Sequence, residues 1–317
     1  MKKILGPAPF AGKILIGVLI IIAAAAIAYY AFPERVAGYL IDAARKRAGL
    51  TKKAVVIGNL RIVYLEGGQG PTVFLLHGYT ANKDSWTQFA GYFTKDYHVV
   101  IPDIPGYGES SKFMDISYDP VHQIERLHEF TAALKLKPFH IAGNSMGGLF
   151  AGLYAARYPE DVLSLGLFDA AGVASPEKSV VTKMFEKGEN PFDIKNSADL
   201  SRTISLCFVK PPMMPYPLKK VMLQTAKTNQ KIYEKELKEM QPDIFSLQNE
   251  LPKIDAPALI LWGDQDKMLD VSSVPVFEKG LKNHRTVILK ECGHIPMFEK
   301  PKETAERYID FIKGVKG

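Results

Sequence analysis

Gly143-Asn144-Ser145-Met146-Gly147 follows the short apolar run Phe139-His140-Ile141-Ala142 and opens a helical-looking segment over 148–158. The run reads as a strand. The serine therefore falls on a sharp strand-to-helix turn, which projects its hydroxyl out of the backbone where a histidine can reach it. Such a turn is crowded, and Gly143 and Gly147 supply the small flanking positions it needs. The helix start just after Ser145 also aims backbone N–H groups at developing negative charge. G-x-S-x-G arises by chance in glycine-containing loops too, so the rest of the chain has to decide.

A serine hydroxyl is a weak nucleophile near neutral pH. It needs a base within hydrogen-bond reach, and the base needs an orienting acid. On an α/β scaffold those partners follow the serine in the order acid, then histidine, each beyond a strand end. Here a strand over 259–262 runs into Gly263-Asp264-Gln265-Asp266, and a last strand over 287–289 is followed by Glu291-Cys292-Gly293-His294. This reading assigns Ser145 as nucleophile, Asp266 as orienting carboxylate and His294 as general base and then acid; Asp264 and Asp270 compete for the acid. His77-Gly78-Tyr79 follows an apolar strand at 72–76. An oxyanion hole in this setting takes one N–H from the residue after the nucleophile, Met146, and one from this loop, assigned to Tyr79. His77 reads as a structural histidine bonded to the backbone.

Working outward, strand and helix signals alternate from residue 54. Residues 55–57 and 60–65 read as a hairpin turning at Gly58-Asn59. Further strands are expected at 99–101, 162–168, 258–262 and 286–289, with a closing helix whose Ala305, Tyr308, Ile309 and Ile312 share one face. Between 175 and 250 the alternation lapses into a helical insertion rich in Pro, Met and Lys. The expected architecture is α/β: a mostly parallel sheet flanked by helices over 54–174 and 251–317, with a helical cap at 175–250. Phe208, Met213 and Met214 in the cap are candidate substrate contacts, because unbranched methionine adapts to flexible apolar ligands. Residues 231–240 read as an exposed charged helix.

The formal charge of +6 is not a nucleic-acid signal. Residues 1–53 carry nine Lys/Arg against Glu34 and Asp42, so the remainder of the chain is nearly neutral. After a tail over 1–13, residues 14–32 contain no charge and are long enough to span a hydrocarbon core as a transmembrane anchor helix. Tyr29, Tyr30 and Phe32 suit the headgroup level at one end. A cleaved signal peptide ending at Ala26-Ile27-Ala28 is the competing reading. Residues 33–53, with Arg45-Lys46-Arg47, read as a basic helix or linker lying on an anionic membrane surface. The side of the bilayer and the oligomeric state stay open. Two cysteines, Cys207 and Cys292, read as free thiols rather than a framework or metal site.

Taken together, His77-Gly78, Asp103-x-Pro105-Gly106-x-Gly108-x-Ser110, the serine turn, Gly263-Asp264-Gln265-Asp266 and Gly293-His294 resemble the α/β-hydrolase superfamily over about 54–317. Within it, the apolar N-terminus, the stretch from His140 to Gly148, the stretch from Leu261 to Asp270 and Glu291-Cys292-Gly293-His294 look like membrane-anchored monoacylglycerol lipases of animals and their bacterial lipase relatives. That resemblance implies hydrolysis of acyl glycerol or other lipid esters at a bilayer, no metal or cofactor, and a helical cap over the site. The same fold and serine turn also serve general carboxylesterases, carbon–carbon bond hydrolases, acyltransferases and non-catalytic scaffolds.

Overall fold

The computed structural model describes residues 8–136 and 138–315. Eight strands form one sheet: β1 (Thr51–Ile57), β2 (Leu60–Gly67), β3 (Thr72–Leu76), β4 (His98–Pro102), β5 (Phe139–Asn144), β6 (Val162–Phe168), β7 (Ala258–Gly263) and β8 (His284–Leu289). Their order is β1-β2-β4-β3-β5-β6-β7-β8, with β2 antiparallel to both its neighbours and every other pairing parallel. The parallel strands therefore deliver their carboxyl ends, and the loops that follow them, to one edge.

The central strands are apolar at nearly every position because both faces are covered. In β3, Phe74 and Leu76 enter one apolar cluster with Ile141, Leu165 and Ile260, while Val73 and Leu75 enter the other with Val99, Leu259 and Leu261. This is period-two alternation hidden inside a continuous apolar run. Helices α3 (Pro120–Leu134), α4 (Met146–Arg157) and α8 (Val274–Gly280) contribute Leu127, Leu149 and Phe277 to the first cluster. Helix α9 (Pro301–Lys313) buries Ala305, Tyr308 and Ile312 in the second, against Phe89 and Phe93. Each such large side chain contributes roughly 1.5–3 kcal/mol on burial, which makes the sheet edge a stiff platform.

Before the sheet come α1 (Ala8–Ala31) and α2 (Pro33–Arg47). Residues 1–7 of the expected tail lie outside the described residues, and the rest of it is already helical from Ala8. The stretch Ile14–Ala31 is long and apolar enough to cross a membrane, and none of it is buried. Phe32 breaks the helix and Pro33 starts the next, since its missing N–H costs nothing in the first turn.

One boundary and one side chain differ from the sequence reading of a basic segment over 33–53. Thr51, Lys52 and Lys53 belong to β1, opposite Glu66, Leu65 and Tyr64. Lysines on an exposed edge strand discourage pairing with other chains, and Lys53 also bridges to Glu66 at 2.5 Å. Arg45 turns inward as well. It is buried, grips Asp84 through two bonds of 2.7 Å and reaches Asp42 at 2.9 Å, so it docks α2 on the core rather than facing lipid.

Between β6 and β7 the chain forms α5 (Val180–Glu186), α6 (Ser197–Cys207) and α7 (Tyr216–Met240). Asn196 and Asp199 start α6 with a reciprocal capping box. The expectation of an exposed charged helix at 231–240 fails on one face of α7: Ile232, Tyr233, Glu236 and Met240 are buried. Their spacing places them on one helical stripe, while Lys231 and Lys238 face out and Lys235 lies over the Tyr118 ring. Tyr216, at the start of α7, donates its backbone N–H to the Tyr29 hydroxyl at 2.9 Å, and its ring lies 5.3 Å from that of Tyr30.

Candidate active site

Ser145 sits between β5 and α4 with φ 57° and ψ −121°, a conformation a side-chain-bearing residue adopts only under constraint. The constraint is visible. A Cβ on Gly143 would collide with the Gly147 carbonyl, and one on Gly147 with the carbonyls of Leu76 and His77. The Ser145 N–H donates to Phe168 O at 3.1 Å, and its carbonyl accepts from Gly148, Leu149 and Ala171. With its backbone fixed on both sides, the side chain is left partly exposed.

Three strand ends away, His294 Nδ1 lies 2.7 Å from Asp266 Oδ2, and both residues are buried. Asp266 Oδ1 accepts the backbone N–H groups of Met268 (2.7 Å) and Leu269 (3.1 Å). Those bonds aim the carboxylate at the imidazole and leave Nε2 free of the acid. The competing acids are engaged elsewhere: Asp264 Oδ1 accepts Cys292 N–H at 3.3 Å, and Asp270 Oδ1 accepts Ser272 N–H at 2.9 Å. His294 and Asp266 are thus brought together. Among the described residues no hydrogen bond joins the Ser145 hydroxyl to the imidazole. The link between them is Asn144, whose Nδ2 donates to both Phe168 O (3.0 Å) and His294 O (2.9 Å).

The loop after β3 closes on the same place. A Cβ on Gly78 would lie 3.2 Å from Ser145 Cβ, which puts Tyr79 next to the serine. Among the described residues neither the Tyr79 N–H nor the Met146 N–H, at the first position of α4, donates to another group. His77 is fully buried, with Nδ1 2.9 Å from Gly78 O and Nε2 accepting the Ile104 N–H at 3.1 Å. Burial holds its imidazole neutral by lowering its pKa. The Asp103 loop is structural too: Asp103 takes the Lys83 N–H at 2.8 Å, the Lys83 ammonium at 2.7 Å and the Glu109 N–H at 2.7 Å.

The expected substrate contacts divide. Phe208 is buried against Phe298 at 5.7 Å, directly after Cys207, whose carbonyl accepts the His294 N–H at 2.8 Å. Met213 is 98 % exposed and Met214 half-buried, on the proline-flanked link between α6 and α7. Met213 therefore lines no enclosed site, because prolines at 211, 212 and 215 hold the link extended and outside the helical packing. Both cysteines are free, and burial raises the thiol pKa of each.

Three residues here escaped the sequence reading. Glu299 accepts the N–H groups of Gly293 (2.7 Å), Val209 (3.0 Å) and Lys210 (3.0 Å), tying the histidine loop to the α6–α7 link. Glu236 is buried on the inner face of α7, and among the described residues neither of its oxygens has a hydrogen bond. Burial pushes its carboxyl up to about 8, against the Tyr107 hydroxyl and Lys112 nearby. Asp169, the first residue beyond β6, is fully buried. One polar atom each of Asp169, Asp266 and His294 lie within 4.8 Å of one another. The signal for Asp169 was present: an aspartate ending the apolar strand Val162–Phe168, on the edge that carries Ser145 and His294.

Comparison with known proteins agrees with this geometry. Residues 71–187 and 191–301 match the family described as having the alpha/beta hydrolase fold. A monoacylglycerol lipase of Mus musculus is 33% identical over 78% of this chain and 77% of its own length. Lipase 1 of Psychrobacter immobilis is 34% identical over 86% and 87% respectively. Among solved structures, a bacterial membrane phospholipase A superposes with a TM-score of 0.88 at 43% identity, covering 96% of this chain and 99% of the other.

Proposed function

This chain belongs to the α/β-hydrolase family, and on that premise we propose that it cleaves the ester bond of acyl glycerols, in the manner of a monoacylglycerol lipase, through Ser145, His294 and Asp266. It is a serine ester hydrolase of the lipase and esterase type. The observation that carries the residue assignment is the 2.7 Å pairing of His294 Nδ1 with Asp266 Oδ2, on the edge where the Ser145 turn emerges.

In this reading Ser145 Oγ attacks the ester carbonyl while His294 Nε2 takes its proton, and Asp266 holds the Nδ1–H and stabilises the imidazolium. The oxyanion is received by the N–H groups of Tyr79 and Met146, which are unused by the protein itself. His294 then protonates the departing glycerol oxygen. A water, deprotonated by the same nitrogen, releases the fatty acid and restores the serine.

The insertion at 175–250 is the cap in this proposal, with Phe208 close to the histidine loop and Met214 further out along the link. The helix through Ile14–Ala31 is the membrane anchor, and residues 33–47 lie at the lipid surface. The monoacylglycerol lipase and lipase relatives support the substrate class, and an anchored enzyme meets a bilayer-partitioned ester at raised local concentration. A second reading, a phospholipid or lysophospholipid ester, is favoured by the 43% identity to a membrane phospholipase A.

One panel separates these readings: acetate and butyrate esters, monoacylglycerols of graded length, lysophospholipid and phospholipid, presented in detergent and in liposomes. The expectation is preference for medium or long acyl chains on glycerol. Equal or better turnover of acetate esters, with no activity on monoacylglycerols, would refute it.

A further inference from the structure

Asp169 ends β6 with φ 44°, its N–H bonded to Leu261 O at 2.9 Å. Its Oδ1 accepts the Gly263 N–H at 2.9 Å. Oδ2 is buried and, among the described residues, receives no donor, although the Asp266 carboxylate stands within hydrogen-bonding range of this side chain. Asp266 Oδ2 faces His294 and Oδ1 faces two backbone N–H groups, and each oxygen keeps lone-pair capacity for a further donor. Two adjacent buried carboxylates repel, and each loses its hydration. A neutral carboxyl beside a carboxylate turns the same contact into a donor–acceptor pair.

We propose that Asp169 is a positioning residue for the acid of the site: a neutral carboxyl that accepts from Gly263 N–H through Oδ1 and donates the proton on Oδ2 to the Asp266 carboxylate. The pair then carries one negative charge, facing the imidazole. The surrounding groups support this. Asp266 after β7 and Glu299 in the short helix Pro296–Glu299 both raise the proton affinity of Asp169, and burial raises it most. The Cys292 thiol, from the loop after β8, and the Cys207 thiol, at the end of α6 and facing Asp266, are themselves held protonated. His294 completes the ring of neighbours. The consequence is geometric: the end of β6 buttresses Asp266 within 4.8 Å of both acid and imidazole, so three strand ends rather than two fix the acid–base pair.

This inference rests on the reading of Ser145, His294 and Asp266 given above, and its test separates the two. Full-length Asp169→Asn and Asp169→Leu are compared with the wild type, measuring kcat and KM on a soluble butyrate ester from about pH 5 to 9. Asparagine presents the same acceptor to Gly263 and a donor to Asp266; leucine presents neither. The Leu variant is expected to lose about tenfold in kcat with KM little changed. The Asn variant should recover most of that loss and keep the acid limb of kcat/KM where the wild type has it. An infrared difference spectrum at about pH 7 should show one protonated-carboxyl band lost in the Asn variant; the band of Glu236 is common to both proteins and cancels. If Asp169 is instead charged, the Asn variant loses an anion near the imidazole and its acid limb moves down by about one pH unit or more. That shift, an unchanged infrared band, or wild-type kcat in the Leu variant overturns the proposal. Should the Leu variant fail to fold, the band and the Asn profile still decide. Retained hydrolysis in Ser145→Ala would defeat the reading of the site while leaving the Asp169 band intact.

Discussion

The edge of the sheet and the insertion above it are built by different means. At the edge, Ser145, Asp169 and Asp266 follow immediately or closely on three buried parallel strands and His294 follows the half-exposed edge strand β8, and backbone hydrogen bonds fix the loops that hold them. The insertion packs more thinly: Val181 and Leu206 form a small apolar cluster with Met268 of the loop after β7, and α7 lends Ile232, Tyr233 and Met240 to the main core. A few polar tethers add to that packing: Glu299 to Val209 and Lys210, Tyr79 Oη to Tyr233 O at 2.7 Å, and Cys207 O to His294 N. Positions that must be accurate to a fraction of an ångström are set by the densest part of the molecule. If the insertion is the proposed cap, the choice among esters falls to the less densely packed part, which can be repacked without disturbing the chemistry.

That contrast can be tested from its strongest consequence to its weakest. Ser145→Ala should lower ester hydrolysis about 10⁴-fold or more and abolish labelling by a fluorophosphonate probe, with the fold retained in circular dichroism. Gly147→Ala introduces a methyl into the carbonyls of Leu76 and His77. It should cost about 3 kcal/mol or more in urea unfolding, because backbone cannot step aside as a side chain can.

Glu236 probes the seam between the two regions through pH. Its folded-state carboxyl titrates at about 8, against 4.5 for an ordinary glutamate. Between those values the folded protein holds a proton that the unfolded chain has released, so stability falls as pH rises, by up to about 1.4 kcal/mol per pH unit. Glu236→Gln should flatten that decline and raise stability near pH 8; equal slopes in the two proteins would show that the carboxyl is solvated. Glu299→Ala deprives three N–H groups of a charged acceptor and should lower kcat/KM roughly tenfold. At the far end of the scale, Met213→Ser alters a side chain that touches little. Turnover of a soluble short ester should stay within about twofold of the wild type. A large loss there would mean that the α6–α7 link folds over the site during turnover.

Legibility in the sequence follows the same division. The parallel sheet and the strand-end placement of Ser145, Asp266 and His294 were readable because β5 and β7 are near-continuous apolar runs and each of these residues follows a strand. Asp266 could not be told from Asp264 or Asp270 by order alone. The two N–H bonds that aim it at His294 exist only in the folded loop. Asp169 was overlooked because the expected acid lies after the next strand, which drew attention away from a charged residue at an equivalent edge position. Arg45 and Glu236 were misread for a different reason. Each sits in a run of Lys, Arg and Glu where composition says solvent, and burial of one charge in such a run depends on a distant partner or cavity. The first residues of β1 were hidden likewise, since an edge strand facing water has no apolar alternation to display.

Asn144 carries one more implication. Its amide bridges the carbonyls of Phe168 and His294, so the residue bearing the hydroxyl's neighbour is pinned to the loop bearing the imidazole. Thermal breathing of the sheet then displaces alcohol and ring in concert, and their separation fluctuates less than either position does. The molecule keeps its reacting partners in a shared frame of reference, and tolerates a restless scaffold because only the relative coordinate is protected.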